Sequence, residues 1–535
     1  MSERLARSAR LIGIATLSSR VLGLVRDQAI AYFFATGMAA DAFGVATRIP
    51  TLLRDLFAEG AMSAAFVPTF TRYLEREGRA VAWRLGSQVL NGLAIVTGVL
   101  VLVGIIFAAP ITSTYASKYA DVPGKLQLAI LLTRFNMPFL LLIAVAAACM
   151  GMLNALHRFF VPAVAPAMYN VVFIVCTIGL VPLFTHIGVP PVMALTAGML
   201  LGGLSQILMQ WPLLRREGYR HQWVLDPRDP GLHEVLILMG PGTLGVAAAQ
   251  VNLFVNMWLA TGEMGAVAAL GYAFRLMYMP IGIFGVSVAT AAIPDLARHA
   301  AHNRLDHMRR TLSWGLRLML VLSVPATVGL MVLATPITEL IFRRGQFDAH
   351  SVVLVSSCLF FYAAGIVGYS VVKIASPSFY SLQDARTPVI ISVVTIVSNL
   401  VLNLWLHEFM GYRGLALGTA IAANINAGLL LVLLSRRIGG VDARRVGVLF
   451  IKILIASGAM GVAAYGSEAW LHRALPTVLV RSAELPRLLR VSGGIAAGLV
   501  ALAGAARILG IEEFRMAMRR VISRRGGPDV DVDAG

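Results

Sequence analysis

Residues 19–68 read SRVLGLVRDQAIAYFFATGMAADAFGVATRIPTLLRDLFAEGAMSAAFVP. The run is mostly apolar and predicts two helices joined by a short turn near Gly37. Yet it carries Arg20, Arg26, Asp27, Asp41, Arg48, Arg54, Asp55 and Glu59. A charge at mid-bilayer costs roughly 3 kcal/mol on insertion scales, so ionisable residues within a span call for a functional reason. The pattern predicts an inward-facing, water-filled cavity that accepts an anion.

Composition makes the bilayer the right frame. Of 535 residues, 58% are hydrophobic and 13% charged, whereas soluble domains carry about 25% charged residues. Cys149, Cys176 and Cys358 lie in apolar segments without paired spacing, which suggests neither a disulfide framework nor a metal site. Arg4, Arg7 and Arg10 precede the first apolar run, and no small-residue cleavage site follows it. That reads as a retained first span rather than a removed signal peptide.

Apolar runs of about 20 residues are long enough to cross a bilayer. Fourteen stand out, near 10–33, 42–68, 86–111, 127–153, 161–184, 190–213, 234–259, 266–295, 313–334, 351–373, 388–406, 412–434, 446–466 and 489–510. Alternate loops are rich in arginine, including Arg72, Arg76, Arg158, Arg215, Arg216, Arg309, Arg310, Arg436 and Arg437. The opposite loops are sparse. The positive-inside rule assigns the rich set, and with it both termini, to the cytoplasm. The net charge of +18 therefore reports topology and contact with anionic lipid headgroups, not nucleic acid.

An internal repeat is visible. FGVATRIPTLLRDLF (43–57) aligns with LGYAFRLMYMPIGIF (270–284), and NALHRFFVP (154–162) with YSLQDARTP (380–388), at a nearly constant offset. A repeat of six spans keeps its orientation, and parallel repeats of this kind occur in secondary transporters with the site between the halves. The expected fold is an all-α integral membrane protein of fourteen transmembrane helices. Two six-helix lobes form a parallel pseudo-repeat, followed by two C-terminal helices. The implied segments are 1–230, 231–440, 441–512 and a basic tail, 513–535.

Arg20 and Arg26 are six residues apart, as are Arg48 and Arg54. Gly23 and Pro50 lie between the pairs, so local helix distortion could turn both members to one cavity. Asp41, Arg48, Asp55 and Glu59 read as one polar stripe, which must face protein or water. Arg275 occupies the repeat position of Arg48, whereas Arg134 lies near a span end and reads as snorkelling. Arginine suits a pyrophosphate because its planar fork binds phosphate oxygens in pairs and stays charged. Asn399, Asn403 and Thr419 read as interhelical hydrogen bonding; an ion site there would usually include a carboxylate. There is no phosphate-binding glycine loop, zinc spacing or nucleophile elbow, so the chain does not read as an enzyme, and no cofactor or metal is expected.

SRVLGLVRD, DAF and PTLLRDLFAEGAMSAAF (50–66) resemble the MurJ (MviN) family of bacterial lipid II flippases. So do GMLNALHRFFVPAVAP (151–166), MGPGTLGVAAAQ (239–250), YAFRLMYMPIGIFGVSVATAAIP (272–294) and VVKIASPSFYSLQDARTPV (371–389). The resemblance covers nearly the whole chain in order. It places the chain in the multidrug/oligosaccharidyl-lipid/polysaccharide exporter superfamily and implies a cationic cavity between two lobes. It also implies a hydrophobic groove beside the last two spans. The implied substrate is lipid II, undecaprenyl-pyrophosphate-linked disaccharide-pentapeptide, moved from the cytoplasmic to the periplasmic leaflet of the bacterial inner membrane. Further implied partners are membrane lipids and cell-wall synthesis enzymes.

The family's cavity residues map onto Ser19, Arg20, Arg26, Asp41, Arg54, Glu59 and Arg275; the residues themselves add Arg48. Two positions depart from the family pattern. Thr51 follows the second-span proline where Asn is frequent, and Phe274 stands where an acid can precede the cation. Rival readings are a flippase for another isoprenoid-linked glycan, a cation-coupled drug exporter and a non-transporting scaffold. Membrane potential, sodium and proton remain open as energy sources.

Overall fold

The computed structural model describes residues 2–55, 60–474 and 484–514. Among them every regular element is a helix. Among the described residues, ten helices are long and apolar enough to cross a membrane. The pair Ala349–Ala363 and Ile366–Ser381, bent by 45°, passes the same test together, as a broken span or a re-entrant loop. The other three expected apolar runs fall on Ser2–Phe34, on the separate helices Met38–Ala46, Arg48–Arg54 and Gly60–Arg76, and on Pro230–Ala260. These three carry the charges and amides that make the sequence distinctive.

The chain divides into two compact units, residues 1–271 with 344–351, and 272–343 with 352–535. In the first unit, helix Pro230–Ala260 starts with Pro230, whose fixed φ suits the first turn. Asp229 caps it, accepting hydrogen bonds from the Gly231 and Leu232 amides at 2.9 and 3.1 Å. An aromatic core of Phe66, Phe70, Trp83 and Tyr219 packs with ring centroids 5.2–5.6 Å apart. Such pairs prefer tilted over face-to-face contact.

Residues 344–351 join the first unit through Tyr32 and Thr36. The Gln346 amide donates to the Tyr32 carbonyl at 2.9 Å, and the Thr36 and Ser351 hydroxyls are 2.9 Å apart. Gly345 adopts φ +58°, and a Cβ there would lie 2.4 Å from the Tyr32 carbonyl. Only glycine combines that left-handed backbone with so close an approach. In the second unit, Leu312, Leu316, Met319, Ile374, Phe379 and Leu434 are core residues.

The repeat read from sequence appears as repeated local structure. Helix Phe139–Ala155 ends just before His157 at φ +58°, and helix Ile366–Ser381 ends just before Gln383 at φ +58°. The next helices start at Phe160 and Arg386. Asp55 lies in a π-turn, and its repeat counterpart falls within the π-turn Ile281–Gly285. Such turns are rare and gather at functional positions.

Candidate functional site

The predicted turn near Gly37 is present, separating Ser2–Phe34 from Met38–Ala46. The expected distortion at Gly23 is not: Ser2–Phe34 runs through it unbroken. At 3.6 residues per turn, Arg20 and Arg26 then project from different faces. Arg20 is exposed and makes no ion pair among the described residues. Ser19 is half-buried, and its carbonyl accepts a hydrogen bond from Asn170 at 3.2 Å.

Arg26 turns inward. Its Nη2 and Nε lie 3.1 and 3.3 Å from Oδ1 of Asp27, which is 1% exposed. The guanidinium also sits over aromatic rings, 5.6 Å from the Phe173 centroid and 5.9 Å from that of Tyr169. Cation–π contact of this kind holds a guanidinium without neutralising it. Tyr169 lies within electrostatic reach of Arg54 as well as of Arg26. Arg26 and Arg54, far apart in sequence, therefore share one neighbourhood.

The second predicted distortion is real but displaced. The helix breaks at Thr47, and Pro50 sits in the first turn of Arg48–Arg54, where proline is tolerated. The break separates Asp41 from Arg48 and Asp55 in the expected stripe, whose last member, Glu59, lies outside the described residues. Beyond it, Arg54 Nη2 and Nε donate to Asp55 Oδ1 at 2.8 and 3.1 Å. Asp55 Oδ2 accepts from Gln250 Nε2 at 3.2 Å, and Gln250 Oε1 accepts from Arg48 Nη2 at 3.1 Å. This Arg54–Asp55–Gln250–Arg48 relay joins the broken span to helix Pro230–Ala260. Arg48 Nε is buried and has no hydrogen-bond partner among the described residues. Among the described residues, the guanidiniums of Arg26, Arg48 and Arg54 gather around the carboxylates of Asp27 and Asp55.

Asp41 is set apart from this cluster. It is fully buried, and its Oδ2 accepts from Lys125 Nζ at 2.8 Å. The same carboxylate accepts from the Gly265 and Ala268 amides at 2.7 and 3.0 Å, capping the start of helix Ala266–Pro280. Lys125 Nζ lies 4.0 Å from the Tyr119 ring centroid. The partner of Asp41 is therefore a lysine just ahead of the apolar run near 127–153. Glu59 lies outside the described residues. Sequence reading also passed over Gln250, Tyr169 and Phe173. Gln250 could have been noticed as the amide closing the apolar run MGPGTLGVAAAQ.

In the second unit, Arg275 is exposed on helix Ala266–Pro280, five residues before Pro280 and the π-turn. Asn403 donates to Asn399 at 2.8 Å, and the Thr419 hydroxyl to the Leu415 carbonyl at 2.8 Å. Away from these, an apolar groove of about 570 Å³ is lined by Pro325, Leu333, Met460, Gly494, Gly498 and their neighbours. Helices Leu305–Val332, Ala443–Ala474 and Glu484–Ile508 form its walls.

Many apolar spans, with arginines gathered beside a break in their helices, fit a class, the multi-pass membrane transporter. The fold agrees. An inward-facing multidrug resistance MATE family transporter of the MOP superfamily superposes with TM-score 0.65 at 15% identity, covering 79% of this chain and 94% of that one. A structure described as lipid II flippase MurJ, inward closed conformation, superposes with TM-score 0.75 at 26% identity, covering 93% and 99%. Residues 30–482 match the family described as lipid II flippase MurJ. A probable lipid II flippase MurJ of Vibrio cholerae is 36% identical over 440 residues, 80% of this chain and 83% of its own. One from Rhizobium meliloti is 31% identical over 99% of this chain and 98% of its own. The chain belongs to the MurJ family.

Proposed function

We propose that this protein moves lipid II from the cytoplasmic to the periplasmic leaflet of the bacterial inner membrane by alternating access, supplying peptidoglycan synthesis. Membership of the MurJ family supports the substrate. The observation that carries the chemistry is the gathering of Arg26, Arg48 and Arg54 near Asp55, with the buried Arg48 Nε lacking an acceptor among the described residues. A buried charged donor without a partner is costly, by about 1–3 kcal/mol or more. A pyrophosphate would supply oxygens to it and to Arg54 and Arg26 while leaving the aromatic floor in place. Arg20 and Arg275, both exposed, would meet the head group during its passage, with Ser19 and Glu59 contributing polar contacts. Asp41 would act through Lys125 and the helix start that it caps.

In this reading the chain has fourteen spans in two six-helix lobes plus two helices, with both termini cytoplasmic. The polyprenyl tail would lie in the bilayer or in the apolar groove beside the last two helices. The test is complementation of a flippase-depleted strain. Arg54→Ala and Arg26→Ala should fail to support growth at normal membrane abundance. Arg54→Lys should retain only part of the activity, because a lysine keeps the charge but loses the fork. Full growth with Arg54→Ala would overturn the pyrophosphate site.

A further inference from the structure

Helix Ala266–Pro280 carries more than Arg275. The preceding residue, Phe274, is the centre of an aromatic cluster in the second unit. Its ring stacks on Tyr278 at 5.8 Å and 24°, and meets Tyr362 and Tyr369 edge-on at 5.6 and 6.4 Å. Phe274, Tyr278 and Tyr369 are half-buried, and Tyr362 is 8% exposed. None of the three tyrosine hydroxyls has a hydrogen-bond partner among the described residues, although buried tyrosine hydroxyls usually find one. Tyr278 lies four residues after Phe274 and three after Arg275, so on a helix it neighbours both.

The platform rests on rigid supports. Tyr369 belongs to helix Ile366–Ser381. That helix packs so closely on Tyr412–Ile438 that a Cβ on Gly368 would come within 2.6 Å of the Ala423 backbone. Its Ser370 hydroxyl lies 3.4 Å from the Cβ position of Gly285, in the π-turn that follows Tyr278.

We infer that Phe274, Tyr278 and Tyr369 form a carbohydrate subsite, in which a pyranose ring lies on the aromatic faces beside the Arg275 guanidinium. The inference deepens the flippase reading and rests on it. The C–H-rich face of a hexose packs on aromatic rings, and the free tyrosine hydroxyls match its hydroxyl groups. The neighbouring arginine suits the phosphate on the same sugar's anomeric carbon. An acid in place of Phe274 would offer hydrogen bonds to the sugar but no face; here the face is supplied instead.

The test compares two ligands on the full-length protein in lipid nanodiscs, lipid II and undecaprenyl pyrophosphate without its sugars. Wild-type protein should bind lipid II more tightly, by about tenfold, the scale of one or two aromatic contacts. Tyr278→Ala and Tyr369→Ala should bring that ratio close to one by weakening lipid II binding alone. Tyr278→Phe, which keeps the face and loses the hydroxyl, should give an intermediate ratio. An unchanged ratio in all three variants would overturn the subsite, as would an equal loss for both ligands. Equal wild-type affinity for the two lipids would sink the sugar subsite and spare the flippase reading. Wild-type preference for neither over a plain phospholipid would sink both.

Discussion

Arg48 and Arg54 are held together by one neutral side chain, Gln250, which donates to Asp55 and accepts from Arg48. Two predictions separate a geometric role for that amide from an electrostatic one. Gln250→Ala removes the relay and should slow lipid II translocation in proteoliposomes about tenfold, the worth of one hydrogen bond to a charged group. Gln250→Glu preserves size but adds a carboxylate among the gathered guanidiniums, so it should be slower still. A glutamate variant faster than the alanine variant would show that the cationic balance is not what the site uses. The arginines were legible in sequence because charge inside an apolar run is conspicuous. Gln250 and Lys125 were not. An amide is common in spans, and a lysine at a span edge reads as a loop charge until Asp41 is seen 2.8 Å away.

At the scale of elements, the weak points of the second span decide where its charges go. The break at Thr47 leaves Arg48 and Arg54 on a two-turn segment of their own, while Asp41 turns into the protein. Asp41 and Lys125 then tie Met38–Ala46 to the first turn of Ala266–Pro280. Removing one member of a buried pair costs about 3–5 kcal/mol because the other charge is stranded. Lys125→Ala should accordingly lower the thermal midpoint of the purified protein, and adding Asp41→Asn should recover part of the loss, since asparagine removes the stranded charge and still accepts from one of the two helix amides. No shift with Lys125→Ala would show that the pair does not hold this junction. Proline and glycine forecast that these helices would be irregular, but not where. Pro50 sits harmlessly in a first turn, Gly23 passes unnoticed inside Ser2–Phe34, and a π-turn has no side-chain signature of its own.

Across the whole molecule, the sequence repeat and the structural one coincide at particular places. His157 and Gln383, the left-handed residues between successive helices, fall in the matched segments NALHRFFVP and YSLQDARTP. Strong apolar runs were readable because a bilayer demands them. The relay residues Arg48, Arg54 and Asp55 lie where the second apolar run is broken, and Gln250 lies on helix Pro230–Ala260. The central claim is that this charged interior serves a lipid-linked pyrophosphate crossing between leaflets. Its most direct test is the sidedness of lipid II in cells carrying or lacking the protein, read with a reagent confined to the periplasmic face. Depletion should make lipid II accumulate out of reach on the cytoplasmic side, and restoring wild-type protein, but not Arg54→Ala, should return it to the periplasmic leaflet. Unchanged sidedness on depletion would contradict the account.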